Sequence, residues 1–279
     1  MRKIEKQVWW YWEHCKAVKN YTPQTVDCMK YSLRRFLKGI PAKRIEDLTN
    51  KMFDDWVIQL QKEGAHAPTI NGYLRITLAM TKYFKKHGVP IKKLDEIMVD
   101  KLKEEPARRT FFTEEQINRV LAVSNDMQWL MISLSFRCGF RINELLHLRL
   151  SDFNGRQCKF IGKGRKLREV WITEEIEQRL ADWVRDYGVT DYIFESSQRE
   201  GQPFCKVGAR RIMQRAFEKA GVEGFHPHAL RHSFATNICR NGAPLPIAQK
   251  MLGHARITTT EVYVHSFDGR LDEFFEKYA

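Results

Sequence analysis

From Ile4 to Phe84 the apolar residues recur at helical spacing in four successive stretches, with almost no strand signal between them. Ile4, Val8, Tyr11, Trp12 and Cys15 form the first stripe. Val26, Met29, Leu33, Phe36 and Leu37 form the second, behind a start signal of Thr22 followed by Pro23. Met52, Phe53, Trp56, Val57 and Leu60 make a third, and a fourth helix is expected to begin near Pro68 and to carry Ile70, Tyr73, Leu74 and Phe84. An apolar stripe on a helix must be covered by another element, so the four stripes predict a small four-helix domain.

The 279 residues are too many for one ordinary helical core and fit two domains. The stretch DKLKEEPARRT at 100–110 is charged, poor in apolar residues and interrupted by Pro106, as an interdomain linker is. Domains of 1–105 and 106–279 are therefore expected. The second opens on a capping box of Thr113 and Gln116, and the apolar run from Trp129 to Phe136 reads as a buried helix. Strand-like runs then appear at Lys159, Phe160 and Ile161 and at Val170, Trp171 and Ile172, on either side of the turn GKGRKLR. Helical signals resume from there to the end. The expected fold is mainly α: an N-terminal four-helix domain and a mainly helical second domain with a small antiparallel β-sheet.

Charge narrows the partners. Lys and Arg number 47 against 34 Asp and Glu, a net +13, and basic side chains on a phosphate backbone gain affinity by releasing condensed counterions. No apolar run approaches the roughly 18 residues of a membrane span, and Val8, Trp9 and Trp10 are too soon followed by Glu13, His14 and Lys16 to form a signal core. A cytoplasmic location is expected, without a membrane partner. The six cysteines lack a CxxC pair or a regular framework, which favours reduced thiols over disulfides or a zinc cluster. The histidines near Arg231 also lack the HExxH signature, so no metal is expected.

Near the C-terminus the polar residues take on a chemical pattern. His228 and Arg231 stand three apart in HPHALRHSFAT, neighbours on one helix face if Pro227 opens the helix. His254 follows in MLGHARITTTEVY, and Tyr263 comes nine residues later. Upstream, Arg141 in CGFRINELLHLRLSDF lies just beyond a glycine that could end one helix and turn the chain into the next, leaving the arginine at a helix N-terminus.

These boxes resemble those of the tyrosine recombinases, the phage-integrase family. GFRINELLHLRLSDF is similar to the family's first arginine box, HPHALRHSFAT to its His-x-x-Arg box, and LGHARITTTEVYVH to its terminal His and nucleophilic Tyr box. IGKGRKLREV resembles the hairpin that bears the family's lysine. The four boxes, in the family's order, anchor residues 113 to 265; the helical N-terminal part resembles the SAM-like core-site-binding domain in outline. Cys138 departs from the family pattern, where a threonine is common.

The resemblance implies a role for each matched residue. Tyr263 would attack the scissile phosphorus and leave a 3′-phosphotyrosyl link and a free 5′-hydroxyl, with no cofactor. Arg141 and Arg231 would bind the non-bridging oxygens, joined by His254. Lys163 would protonate the departing oxygen, although Arg165, Lys166 and Arg168 share its turn and only the position after Gly162 favours it. His228 would assist the tyrosine as base or acid, while His147, His226 and His232 have no role in the pattern.

A minimal two-domain, Xer-like enzyme is expected, since the chain opens directly on the helical domain. Chromosome-dimer resolution and element integration both fit. Its partners would be a double-stranded recombination site, clamped with help from Arg34, Arg35 and Arg75, and three further copies in a tetramer, with a related recombinase or accessory proteins as further candidates. Leu271, Phe274, Phe275 and Tyr278 form one stripe at i, i+3, i+4 and i+7, expected to be a helix that docks on a neighbouring copy. Two rival readings are separable by experiment: a type IB topoisomerase would relax plasmids lacking a special site, and a DNA-binding protein without catalysis would tolerate Tyr263→Phe.

Overall fold

A computed structural model describes residues 2–19, 21–95, 98–104, 110–162 and 167–252, and the chain divides into two compact units, Met1–Ala107 and Arg108–Ala279. The first unit is built on α1 (Lys3–Val18), α2 (Pro23–Gly39), α3 (Asn50–Lys62) and α4 (Ala67–Lys86). Two expected starts are seen, the Thr22 side chain accepting from the Thr25 amide and Pro68 lying in the first turn of α4; in addition Thr49 caps α3 through the Met52 amide. Ile4, Val8, Tyr11 and Cys15 are buried on α1, and Met29, Leu33 and Phe36 on α2.

At the centre, Phe36, Phe53 and Trp56 meet edge to face or tilted, with ring centroids 5.6 to 6.3 Å apart. Gly39 makes this contact possible, because a Cβ there would stand 2.2 Å from Cδ1 of Trp56. The buried amide of Asn71 on α4 exchanges two 2.9 Å bonds with the backbone of Leu102 and so ties the segment after the helices back to them.

In the second unit α5 (Glu114–Ala122) and α6 (Asp126–Arg137) each open on a capping box, Thr113 with Gln116 and Asn125 with Gln128. Every residue of α6 from Trp129 to Phe136 is buried, so this helix is the axis about which the unit packs. The short α7 (Ile142–Leu146) follows. The strands β1 (Phe153–Asn154), β2 (Gln157–Ile161) and β3 (Leu167–Trp171) then form an antiparallel sheet in that order. Alternation sends Cys158 and Phe160 of β2 and Arg168 and Val170 of β3 inward.

After α8 (Glu174–Tyr187) the sequence reading expected only helix, but β4 (Glu195–Ser196) pairs with β5 (Arg199–Pro203) in a second small sheet. Its strand REGQP is polar and mostly exposed, without the apolar alternation that would announce it. The unit closes with α9 (Lys206–Lys219), α10 (Pro227–Arg240) and α11 (Leu245–Leu252). Among the described residues no helix is long and apolar enough to cross a membrane. The stripe at 271–278 lies outside the described residues.

Candidate active site

The turn between α6 and α7 sets the first arginine. Gly139 adopts φ +66°, a left-handed conformation, and a Cβ there would lie 2.4 Å from the Phe234 ring on α10, so both backbone and packing call for glycine. The turn delivers Arg141 to the N-cap of α7, where Glu144 faces it three residues on. One carboxylate oxygen of Glu144 accepts from the Arg141 amide at 2.9 Å, and the other from Arg141 Nη1 at 2.6 Å.

Glu144 is a hub the sequence reading passed over. Its carboxylate also accepts from Arg168 Nη1 and lies 3.8 Å from Arg231 Nη1. Arg231 donates from Nη1 to the Gly139 carbonyl and from Nη2 to the Leu252 carbonyl at the end of α11. Glu144, Arg168 and Arg231 are 9%, 5% and 4% exposed, while the Arg141 side chain keeps 23% of its surface open. Among the described residues, three guanidinium groups thus share one carboxylate. An anion reaching the open Arg141 side would meet a guanidinium group already held in place.

Arg168 corrects an expectation. The sequence groups it with the turn of the hairpin as an alternative to Lys163, but it stands on the inward face of β3, over the Phe160 ring and paired to Glu144. Strand parity accounts for this: residues 168 and 170 face the core, so the basic character of the turn does not extend to 168. Lys163 lies outside the described residues. Gly162 before it is close to the cluster, since a Cβ there would stand 3.2 Å from Arg168 Cδ and 3.5 Å from a Glu144 carboxylate oxygen. Cys138 is buried beneath the sheet with its thiol directed at the Trp171 carbonyl at 3.8 Å, and burial pushes its pKa up to about 12.

On α10, the His226 ring caps the helix by accepting from the Ala229 amide at 3.0 Å, and Pro227 follows as expected. His228 is exposed in the first turn and Arg231 is buried one turn on. Desolvation, followed by the positive charges of His226, Lys206, Arg231 and Arg141, holds the His228 pKa below its ordinary value. His147, exposed at the end of α7, bonds to the Asn143 carbonyl at 2.7 Å. His254 and Tyr263 lie outside the described residues. Of the six expected catalytic residues, Arg141, His228 and Arg231 are therefore described, and Arg141 and Arg231 meet at Glu144.

The model of the phage integrase family matches residues 110–270, more than half of the chain and the whole of this cluster. The chain belongs to the phage integrase family. It is a Xer-like tyrosine recombinase, which breaks and rejoins DNA at specific sites. In this family a tyrosine holds the cut strand as a 3′-phosphotyrosyl link, and strands exchange through a Holliday junction with no high-energy cofactor. A tyrosine recombinase of Thermosipho africanus is 26% identical over 95% of this chain and 96% of its own length. Tyrosine recombinase XerD of Oceanobacillus iheyensis is 34% identical over 59% of this chain and 58% of its own. The fold is that of a lambda integrase dimer bound to a COC′ core site, at TM-score 0.78 and 18% identity, over 93% of this chain and 76% of that one. It is also that of the XerH recombinase bound to a palindromic difH substrate, at TM-score 0.73 and 21% identity, over 94% and 82%.

Proposed function

We propose that Tyr263 is the nucleophile and that Arg141, Arg231, His254, Lys163 and His228 surround the phosphate it attacks. One observation carries the reading: Arg141 and Arg231 are gathered with Arg168 at Glu144, and Arg141 is open to solvent there. As the tyrosine oxygen bonds to phosphorus, negative charge grows on the non-bridging oxygens, and preorganised guanidinium groups stabilise it without reorganising. The bond from phosphorus to the 5′-oxygen breaks, and Lys163 supplies the proton that makes the leaving group a hydroxyl. His228, kept neutral near pH 7 by its lowered pKa, is suited to take the tyrosine proton. Tyr263→Phe should bind its site with unchanged affinity and form no covalent adduct on a denaturing gel. An adduct from the Phe variant would mean that another residue is the nucleophile.

The first unit serves in this reading as a core-site DNA-binding domain, with Arg34, Arg35 and Arg75 on the phosphate backbone. The solved relatives on core-site and difH DNA support a double-stranded site as the partner. Four copies would assemble on two sites, each lending residues 271–278 to a neighbour, and a related recombinase or accessory protein could join them in the cytoplasm. Removing residues 270–279 should then spare binding to a single site and abolish cooperative pairing.

A further inference from the structure

The face of α2 that carries Arg34 and Arg35 also carries an aromatic ring outside the core. Tyr31 stands one turn before them and is 58% exposed. Its ring lies against Tyr73 of α4, with centroids 6.1 Å apart, and Tyr73 in turn stacks on Trp56 of α3 at 6.3 Å. Trp56 is only 1% exposed, so three rings lead from the core of the first unit to its surface, with Tyr31 the outermost. Burial and, after it, a side-chain hydrogen bond with Tyr31 hold the Tyr73 phenol above its ordinary value. The Tyr31 hydroxyl is thus engaged inside the unit, which leaves the ring as the part free to meet a partner.

We propose that Tyr31 is a specificity-determining residue for the recombination site, its ring meeting the methyl group of one thymine in the major groove while the arginines on either side take the phosphates. Successive residues of an α-helix turn by about 100°, which sets Arg34 about 60° to one side of Tyr31 and Arg35 about 40° to the other. A helix laid in the groove with its arginines spread toward the backbone therefore turns Tyr31 toward the base edges. The major groove admits a helix and displays the thymine methyl, an apolar group that a ring can cover. Phosphate contacts fix register without reading sequence, and a long arginine stem can follow a phosphate as it moves. A ring already packed on Tyr73 keeps one direction and loses little freedom on contact, which is what reading a base requires. The inference rests on the reading that α2 lies on the duplex.

The test uses the full chain and a duplex site enriched with it from a random library, in which each thymine is replaced in turn by uracil, a base that lacks only the methyl. One such replacement should weaken binding of the parent by about 3- to 10-fold, the scale of one buried methyl group. Tyr31→Ala should lose a similar factor on the unmodified site and be indifferent to uracil at that position. It should keep the parent's dependence on salt, because no charge is removed. Tyr31→Phe retains the ring and should follow the parent throughout. If no uracil costs the parent more than about twofold, the proposal is overturned, and this arm needs no variant to fold. A full uracil penalty in Tyr31→Ala, or a Tyr31→Phe that behaves as Tyr31→Ala, overturns it as well. Arg34→Gln and Arg75→Gln separate the two readings, since each should weaken the unmodified and uracil sites by the same factor. If both bind as the parent does at every salt concentration, the placement of α2 on the backbone fails first and takes this inference with it.

Discussion

Arg34 and Arg75 of the first unit stand exposed on α2 and α4, and Arg35 beside them pairs with Glu63 across to α3. Arg168 and Arg231 of the second unit are buried, with their guanidinium groups committed to Glu144 and to backbone carbonyls. The same residue type therefore does two kinds of work. An exposed arginine contributes charge that its neighbours can replace, so its effect is spread thinly over binding. A buried arginine contributes direction, and its loss leaves the groups it faced without partners.

The contrast is sharpest at Glu144, whose carboxylate meets three guanidinium groups among the described residues. Glu144→Ala should destabilise the second unit by about 3–5 kcal/mol, because the buried partners remain charged when their counter-charge is removed. Urea unfolding of the full chain measures this. A loss below about 1 kcal/mol would show that water or ions replace the carboxylate, and the cluster would then resemble the exposed arginines after all.

A second break point is the turn that aims Arg141. Gly139→Ala places a side chain at φ +66°, for about 1–2 kcal/mol, and presses a Cβ into the Phe234 ring, for about 1–3 kcal/mol more. The sum of about 2–5 kcal/mol should fall in a Phe234→Ala background, where only the backbone strain remains. Purely additive losses in thermal unfolding would mean that the ring is not what the methyl meets.

How far the sequence could be read follows the same division. The four stripes of the first unit, the Thr22 and Thr113 starts and the hairpin around Gly162 announce themselves through period and capping, which are local properties. Arg141 and Arg231 were legible because they lie in recognisable boxes. Glu144 was not, since a glutamate inside INELL gives no sign of the two arginines that reach it from β3 and α10. Arg168 was misplaced because a run of basic residues looks uniform in sequence, whereas the sheet sorts alternate positions inward and outward. The polar strand β5 was missed because its pairing with β4 owes little to apolar patterning.

A smaller effect should separate the two regions by pH. His226 and His228 are both held below the ordinary imidazole value, first by desolvation and then by nearby positive charge. The folded chain therefore binds fewer protons than the unfolded chain between the folded values and the unfolded value of about 6.5. Their stabilising contribution is complete above that value and is lost as pH falls through the window. Melting temperatures at pH 7.5, 6.0 and 5.0 should drop less for His228→Gln than for the parent. The difference should be small, because His228 is exposed. Bound DNA should change this titration, since a phosphate beside the ring alters its surroundings, and the carbon-bound protons of the ring, followed by NMR, would report the change. An unchanged titration would remove His228 from the neighbourhood of the phosphate.

The smallest effects are expected from the first unit, and they distinguish among its arginines. Each phosphate contact releases condensed counterions, so Arg34→Gln and Arg75→Gln should each flatten the slope of log affinity against log salt by about 1. Neither should move the melting temperature, since both residues are exposed and no ion pair among the described residues binds either one. Arg35 differs because the Glu63 carboxylate already neutralises it in the free protein, and that pair has to loosen before a phosphate can take its place. Arg35→Gln should therefore flatten the slope by less than Arg34→Gln. Glu63→Gln, which frees Arg35 for the backbone, should tighten binding and steepen the slope. Equal slopes for all three arginine variants, with Glu63→Gln silent, would mean that the pair with Glu63 does not persist in solution.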